Sequence, residues 1–232
     1  MMELRMPLPT LNRREITIGT GYLVFQLFLL PALLVGLNLL LPVPMSIGVL
    51  NFLFFLLNAG AVAAIFHRLL KKNLLRTLRD PKGVWKAALW GFGLYWLSML
   101  ALSLLTAAIA PDFVNLNDSA ISDISQEHFL LTCFGTVFLV PTTEEVLHRG
   151  LVFGGLYPKS PAAAYLVSAA VFSFIHLLGY VGMYEPLHLA VAFILYLPPG
   201  LILADAYRRS GSLAAPILIH TAVNALGVLA MR

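Results

Sequence analysis

The sequence predicts an all-α polytopic membrane protein with about seven transmembrane helices and a cytoplasmic N-terminus. Three observations predict this fold class: an apolar composition, a series of long uncharged runs and a one-sided distribution of basic residues. Of the 232 residues, 59% are hydrophobic and 11% are charged, and the mean hydropathy is +0.87. Globular domains carry about 25% charged residues. A chain of this size could not bury so much apolar surface within itself, so lipid is its predicted solvent.

The uncharged runs divide the chain into seven predicted spans. No charged residue occurs between residues 16 and 66, and the prolines at 42–44 divide that stretch into two crossings of about 20 residues each. A third run covers 87–110 and a fourth begins at residue 129. The last three are predicted at 161–180, 187–204 and 213–231. The first run is too long for a signal peptide and lacks a small-residue cleavage site, so we expect a retained anchor.

Basic residues determine the predicted topology. With the N-terminus inside and seven spans, the cytoplasmic side receives Arg5, Arg13, Arg14, the basic stretch 68–86, Lys159, Arg208 and Arg209. The opposite loops carry acidic residues and no lysine or arginine. This asymmetry follows the positive-inside rule. The stretch 67–86 is either an amphipathic surface helix, with Leu70, Leu74, Leu75 and Leu78 on one face, or an ordinary basic loop.

The apolar composition and the positions of the spans also limit the expected partners and domain organisation. We expect a three-span N-terminal region at 1–128 and a four-span core at 129–232. In so apolar a chain, the pI near 9.3 predicts contact with the lipid bilayer and not with nucleic acid. The single cysteine, Cys133, excludes a disulfide scaffold. The short chain, without an organelle signal, leads us to expect the cytoplasmic (inner) membrane of a prokaryote.

Ionisable residues cluster inside three predicted spans, where charged side chains are costly and usually functional. Span five contains His176, and span seven contains His220 and Asn224 at a spacing of i,i+4. Span four contains the largest group: Glu144, Glu145, His148 and Arg149. If span four continues to about residue 157, all three groups reach a similar depth at about 1.5 Å per residue. Each group alone fits a structural role, but their convergence predicts a site.

The two glutamates have different predicted environments. Glu145 and Arg149 are at i,i+4, with the acid on the N-terminal side, which favours an ion pair. Glu144 is rotated by about 100° and has no such partner. A desolvated carboxylate without a partner suits general-base chemistry. The alternatives are that both glutamates bracket Arg149, or that the whole group lies in a wet cytoplasmic loop.

These residues resemble the CPBP family, which comprises the CAAX prenyl proteases and bacteriocin-processing enzymes and is also called the Abi family. The family pattern is EExxxR, then FxxxH, then HxxxN. This sequence contains its elements in order: Glu144-Glu145…Arg149, Phe172…His176 and His220…Asn224. Each motif alone is weak, but the ordered set within predicted spans is specific. The resemblance covers about residues 129–230.

The resemblance implies an intramembrane endopeptidase that hydrolyses a peptide bond of a membrane-associated or lipidated protein or peptide. Glu144 would deprotonate a water molecule and His176 would orient that water. His220 and Asn224 would stabilise the oxyanion, often the largest catalytic contribution. The implied set is completed by Glu145 as a further catalytic residue, Arg149 as its ion-pair partner and Phe172 as a substrate-binding residue.

Two alternatives remain open. His148 lies at i+4 from Glu144, so it could tune Glu144 or complete a zinc site with His176, His220 and Glu144. We favour a mechanism without a metal cofactor, because the chain has no HExxH helix. The competing function class is a non-enzymatic membrane protein, either a bacteriocin-immunity protein or a small transporter.

Overall fold

The computed structural model describes residues 7–230, and this part of the chain forms helices and connecting turns without a strand. It confirms the all-α membrane fold class. Five helical segments are long and apolar enough to cross a membrane: Arg13–Leu39, Ile47–Ile65, Pro81–Ile109, Leu116–Leu156 and Pro186–Ser210. Because these segments are long and apolar, the protein is an integral membrane protein. Arg5 and the end of the seventh predicted run lie outside the described residues.

The first four helices are α1 (Arg13–Leu39), α2 (Ile47–Ile65), α3 (His67–Arg79) and α4 (Pro81–Ile109). Capping residues determine where α1, α2 and α4 begin. Asn12 and Glu15 form a capping box at the start of α1, and Ser46 caps α2. Asp80 accepts a hydrogen bond from the Gly83 amide and Pro81 follows it, which fixes the start of α4.

Helix α3 is a separate amphipathic helix and ends at Arg79, seven residues before the predicted end at 86. The sequence 67–86 does not continue as one helix because Asp80 caps the next one. Leu69 and Asn73 are buried on its inner face, whereas Leu74, Leu75 and Leu78 are exposed. Exposed leucines beside basic residues are the arrangement of a helix that lies on a membrane surface.

The central helical segment runs from Leu116 to Leu156. It comprises α5 (Leu116–Phe134), a π-helical turn (Gly135–Leu139), α6 (Val140–Glu145), a second π-helical stretch (Val146–Phe153) and α7 (Gly154–Leu156). His128 breaks α5 with non-helical dihedral angles, φ −134° and ψ 54°. The fourth predicted span, which starts at residue 129, therefore begins directly after the kink. The segment ends at Leu156, close to the expected end at about residue 157. Residues 116–127, which had no predicted structure, form a helix that we call the outer helix.

The last helices are α8 (Pro161–Ile175), α9 (Pro186–Ser210) and α10 (Ala214–Ala230). Helices α8 and α10 have 15 and 17 residues. At 1.5 Å per residue they are about 22 and 26 Å long, less than the hydrocarbon core of about 30 Å. The structure therefore has five long apolar helices and two short ones, and the count of seven complete crossings is not confirmed.

Helix α9 organises the C-terminal half, where it packs against α4, α8 and α10. Gly200 allows α9 to approach α8 closely, because a Cβ atom there would lie 2.8 Å from the Cα atom of Ala169. The prediction that span five extends to residue 180 is wrong. Helix α8 ends at Ile175, and His176 is its C-terminal cap.

The basic and acidic loops lie at opposite ends of the helices. At the basic end, Lys72 donates to the Thr10 carbonyl, and Arg76 donates to the Gly211 carbonyl. At the other end, Ser46 and His128 are joined by a hydrogen bond of 2.6 Å. The hydrogen bonds at each end thus join segments that the topology prediction places on the same side of the membrane.

Candidate active site

The two glutamates occupy the last two positions of α6, between the π-helical stretches. A π-helical turn forms i→i+5 bonds and is frequent at functional sites. The turn before α6 is stabilised by Thr143, whose hydroxyl donates to the Leu139 carbonyl at 2.8 Å. This local geometry gives adjacent carboxylates different surroundings.

Glu145 is the buried centre of a hydrogen-bond network and has an exposed fraction of 0%. Its Oε1 atom accepts from Arg149 Nη1 at 3.0 Å and from His220 Nδ1 at 2.9 Å. Arg149 Nη2 also donates to the Gly200 carbonyl at 3.2 Å, and its guanidinium lies 4.4 Å from the centre of the Phe172 ring. One buried ion pair therefore connects the central segment to α8, α9 and α10.

Glu144 has none of these contacts. Within residues 7–230 its carboxylate takes part in no hydrogen bond, and its Oε2 atom is buried without a partner. The residue lines a cavity of about 960 Å³ between the helices. A carboxylate that retains its lone pairs beside a cavity of this size is free to bind a water molecule or a substrate group.

The cavity brings together four of the predicted catalytic residues: Glu144, His176, His220 and Asn224. Much of the surrounding wall is apolar and comes from α1, α2 and α4. It includes Leu27, Phe28, Phe54, Phe55, Trp96 and Met99. The cavity thus combines a few polar groups with a mainly apolar lining, as in most ligand sites.

Hydrogen bonds set the orientation of both histidines. His176 Nδ1 lies 2.8 Å from the Phe172 carbonyl. A carbonyl oxygen only accepts, so Nδ1 carries the proton, and Nε2 of the neutral ring is an acceptor. His220 uses its Nδ1 toward Glu145 in the same way. Asn224 Nδ2 donates to the Thr136 carbonyl at 2.9 Å, which leaves one amide N–H for another acceptor.

Phe172 is 3% exposed and lies among the functional side chains. Its ring centre is 4.5 Å from that of His176, 5.4 Å from that of His148 and 6.1 Å from that of His220. These contacts indicate that Phe172 holds the rings of the site in place. Direct contact between Phe172 and a substrate stays a prediction.

His148 is 1% exposed, and its Nδ1 atom is buried without a hydrogen-bond partner. The structure shows no hydrogen bond between His148 and Glu144 in the described chain. Nor does any group of three or more His, Cys, Asp or Glu side chains within residues 7–230 have the arrangement of a metal site. The alternative ligand set of Glu144, His148, His176 and His220 does not have that arrangement in the described chain, so we derive no catalytic step through zinc, and metal dependence stays a prediction.

Tyr196 and Asn115 also belong to the site, although neither was a predicted site residue. The Tyr196 ring stacks on His176 with 4.3 Å between ring centres, and its hydroxyl donates to Asn115 Oδ1 at 3.2 Å. Both residues line the cavity. In the sequence, a tyrosine within an apolar span is not distinguished from its apolar neighbours, and Asn115 resembles an ordinary polar loop residue.

Together, the helices and the site define a class: integral membrane proteins with a carboxylate–histidine site enclosed between apolar helices. The family model of the Rce1-like type II CAAX prenyl endopeptidases matches residues 126–226. This segment of the chain is thus similar to a family of membrane proteases, in agreement with the resemblance to the CPBP pattern. No curated protein and no solved structure gives a significant match.

Proposed function

We propose that the protein is an intramembrane endopeptidase in which Glu144 activates the attacking water. One observation carries this proposal: the unpartnered Glu144 carboxylate shares a cavity with His176, His220 and Asn224. The neighbouring Glu145 accepts from Arg149 and His220 at Oε1 and does not line the cavity, although its Oε2 atom also has no partner in the described chain, so it suits the positioning of His220 better than the activation of water.

The proposed reaction assigns each proton. Glu144 takes a proton from water while the water oxygen attacks the scissile carbonyl carbon. The acceptor Nε2 of His176 holds the other water proton in a hydrogen bond. The remaining N–H of Asn224 would donate to the oxyanion of the tetrahedral intermediate, and His220 would stabilise it when its Nε2 is also protonated and the imidazolium is paired with Glu145. Glu144 then returns its proton to the departing amine as the C–N bond breaks, which restores the carboxylate.

The apolar wall supports a membrane-associated or lipidated protein or peptide as the substrate. Phenylalanine and leucine side chains from α1 and α2 stabilise an apolar segment by burying it, at about 25 cal/mol per Å². We also propose the cytoplasmic membrane of a prokaryote as the location. The basic end of the helices would then face the cytoplasm.

The test compares a wild-type strain with a Glu144→Gln strain by membrane and secretome proteomics, followed by cleavage of the accumulated precursor with purified protein. Glutamine keeps the shape and removes the base, so cleavage should fall by about 10²–10⁴-fold. Glu185→Gln is the matched control, because Glu185 is exposed and lies outside the cavity. Wild-type cleavage by the Glu144→Gln protein would reject Glu144 as the base, whereas identical proteomes of the two strains would favour the non-enzymatic immunity function.

A further inference from the structure

The outer helix covers one end of the catalytic cavity. Ala120, Ile121 and Ile124 line that cavity, whereas Asp123 and Glu127 of the same helix are exposed. At its C-terminal end the chain kinks at His128, which is anchored to the cap of α2 through Ser46. Such a helix can open only if its N-terminal end is released.

Three side chains from beyond α8 hold that N-terminal end. His188 Nε2 donates to the Val114 carbonyl at 2.9 Å, and the Tyr180 hydroxyl donates to the Leu116 carbonyl at 3.1 Å. The Tyr196 hydroxyl donates to Asn115 Oδ1 at 3.2 Å. Asn115 Oδ1 also accepts from the amides of Asn117 and Asp118, so it is the cap of the outer helix.

Tyr196 differs from the other two because its ring also contacts a predicted catalytic residue. It stacks on His176 at 4.3 Å with an angle of 26° between the rings. Phe172 lies against the same imidazole at 4.5 Å. His176 follows the last residue of α8, so its ring depends on these two aromatic neighbours and on the bond to the Phe172 carbonyl.

We propose that Tyr196 is a positioning residue that couples closure of the outer helix to the orientation of His176. When the outer helix is closed, Asn115 fixes the Tyr196 hydroxyl and Tyr196 fixes the imidazole. When it opens to admit a substrate, Tyr196 loses that bond and His176 loses a fixed neighbour. This coupling rests on the proposed function of His176, and it delays water activation until the site is closed.

Two variants separate the parts of this coupling. Tyr196→Phe keeps the stacked ring and removes the bond to Asn115, so kcat should fall by about tenfold with little change in KM. Tyr196→Leu removes both, and kcat should fall by about 10²-fold because His176 loses its alignment. The matched control is His188→Phe. It removes another bond to the same loop, keeps the ring stacked near Phe113 and neither lines the cavity nor contacts His176.

Movement of the outer helix is measured independently of catalysis. In a Cys133→Ala background, the rate at which Ile121→Cys reacts with an external thiol reagent reports opening, since Ile121 faces the cavity. Both Tyr196→Phe and His188→Phe should increase this rate, but kcat should fall much further in Tyr196→Phe, because His188→Phe keeps the bond between Tyr196 and Asn115 whenever the outer helix is closed. Equal values of kcat in the two variants, or an unchanged labelling rate in Tyr196→Phe, would overturn the coupling.

A double-mutant cycle with His176→Ala completes the test. If Tyr196 acts through His176, then Tyr196→Leu should cause no further loss of cleavage in the His176→Ala protein. An additive loss would assign Tyr196 a purely structural role. Failure of the proposed protease function would show as no cleavage by the wild-type protein, whereas the labelling experiment would still report the outer helix.

Discussion

Glu144 and Glu145 are adjacent in the sequence, yet their carboxylates have opposite surroundings. Glu145 is fully buried and bonded to Arg149 and His220, whereas Glu144 has no hydrogen-bond partner in the described chain. Environment and not residue type separates the roles of paired carboxylates in many enzymes. This difference supports the proposed assignment of Glu144 to water activation and of Glu145 to positioning.

Loss of the buried ion pair should be costly. Arg149→Ala leaves Glu145 buried without its cation, and breaking a buried pair costs about 3–5 kcal/mol. We expect a large fall in the free energy of unfolding and in cleavage, measured by thermal unfolding in detergent and by peptide hydrolysis. Arg208→Ala is the control, since its pair with Asp205 is partly exposed and should contribute about 0–1 kcal/mol. A stable, fully active Arg149→Ala protein would show that the network is dispensable.

Much of this site could be predicted because helical geometry is regular. The i,i+4 spacing of Glu145 and Arg149 places both side chains on one face of the helix. In the structure they form an ion pair, with 3.0 Å between Arg149 Nη1 and Glu145 Oε1. The length of the fourth span could be estimated from its rise per residue, and the central segment ends at Leu156. These expectations required only local geometry and the cost of burying charge.

Other features depend on contacts that a single sequence does not encode locally. His176 was expected within a helix, but α8 ends at Ile175 and the chain turns. The bond between Glu145 and His220 joins residues 75 positions apart. The stacking of Tyr196 on His176 likewise depends on how α9 packs against α8. Hydrophobic periodicity predicts where helices occur but not which apolar faces meet.

Metal dependence can be tested directly. The proposed mechanism places water activation on Glu144, so cleavage should persist in EDTA and in phenanthroline. The purified protein should contain no stoichiometric zinc by elemental analysis. His148→Phe should retain activity, because His148 makes no hydrogen bond to Glu144 in the described chain. Reversible inactivation by chelators, with loss of metal from His148→Phe, would replace this mechanism with one that uses zinc.

The topology prediction concerns the two ends of the helices. The basic loops lie together at one end, and the positive-inside rule places that end in the cytoplasm. A reporter fused within residues 76–82 should therefore be cytoplasmic, and one fused after residue 232 should be external. Because α8 and α10 are short, the second fusion is the more informative. A cytoplasmic signal from it would mean that one of these helices does not cross.

The charged residues that line the cavity predict how the protein recognises the C-terminus of its substrate. The titratable acids and histidines that line it are Asp118, Glu144, His176 and His220, and the described lining residues include no lysine or arginine. Among residues 7–230 the one buried arginine is Arg149, which is already bonded to Glu145 and to the Gly200 carbonyl. A free C-terminal carboxylate would enter this space without a cation to bind it, and a charge buried without a partner is costly.

The recognition of such a substrate should therefore not require its terminal charge. We expect a peptide substrate with an amidated C-terminus to be cleaved with a kcat/KM at least equal to that of the free acid, and Asp118→Asn to improve cleavage of the acid selectively by removing a like charge. Steady-state kinetics of both peptides with both proteins measure this difference. Glu185→Gln is the control, since it removes an acidic residue outside the cavity and should change neither ratio. A kcat/KM for the acid about tenfold above that for the amide would correspond to about 1.4 kcal/mol of carboxylate recognition and would contradict the prediction.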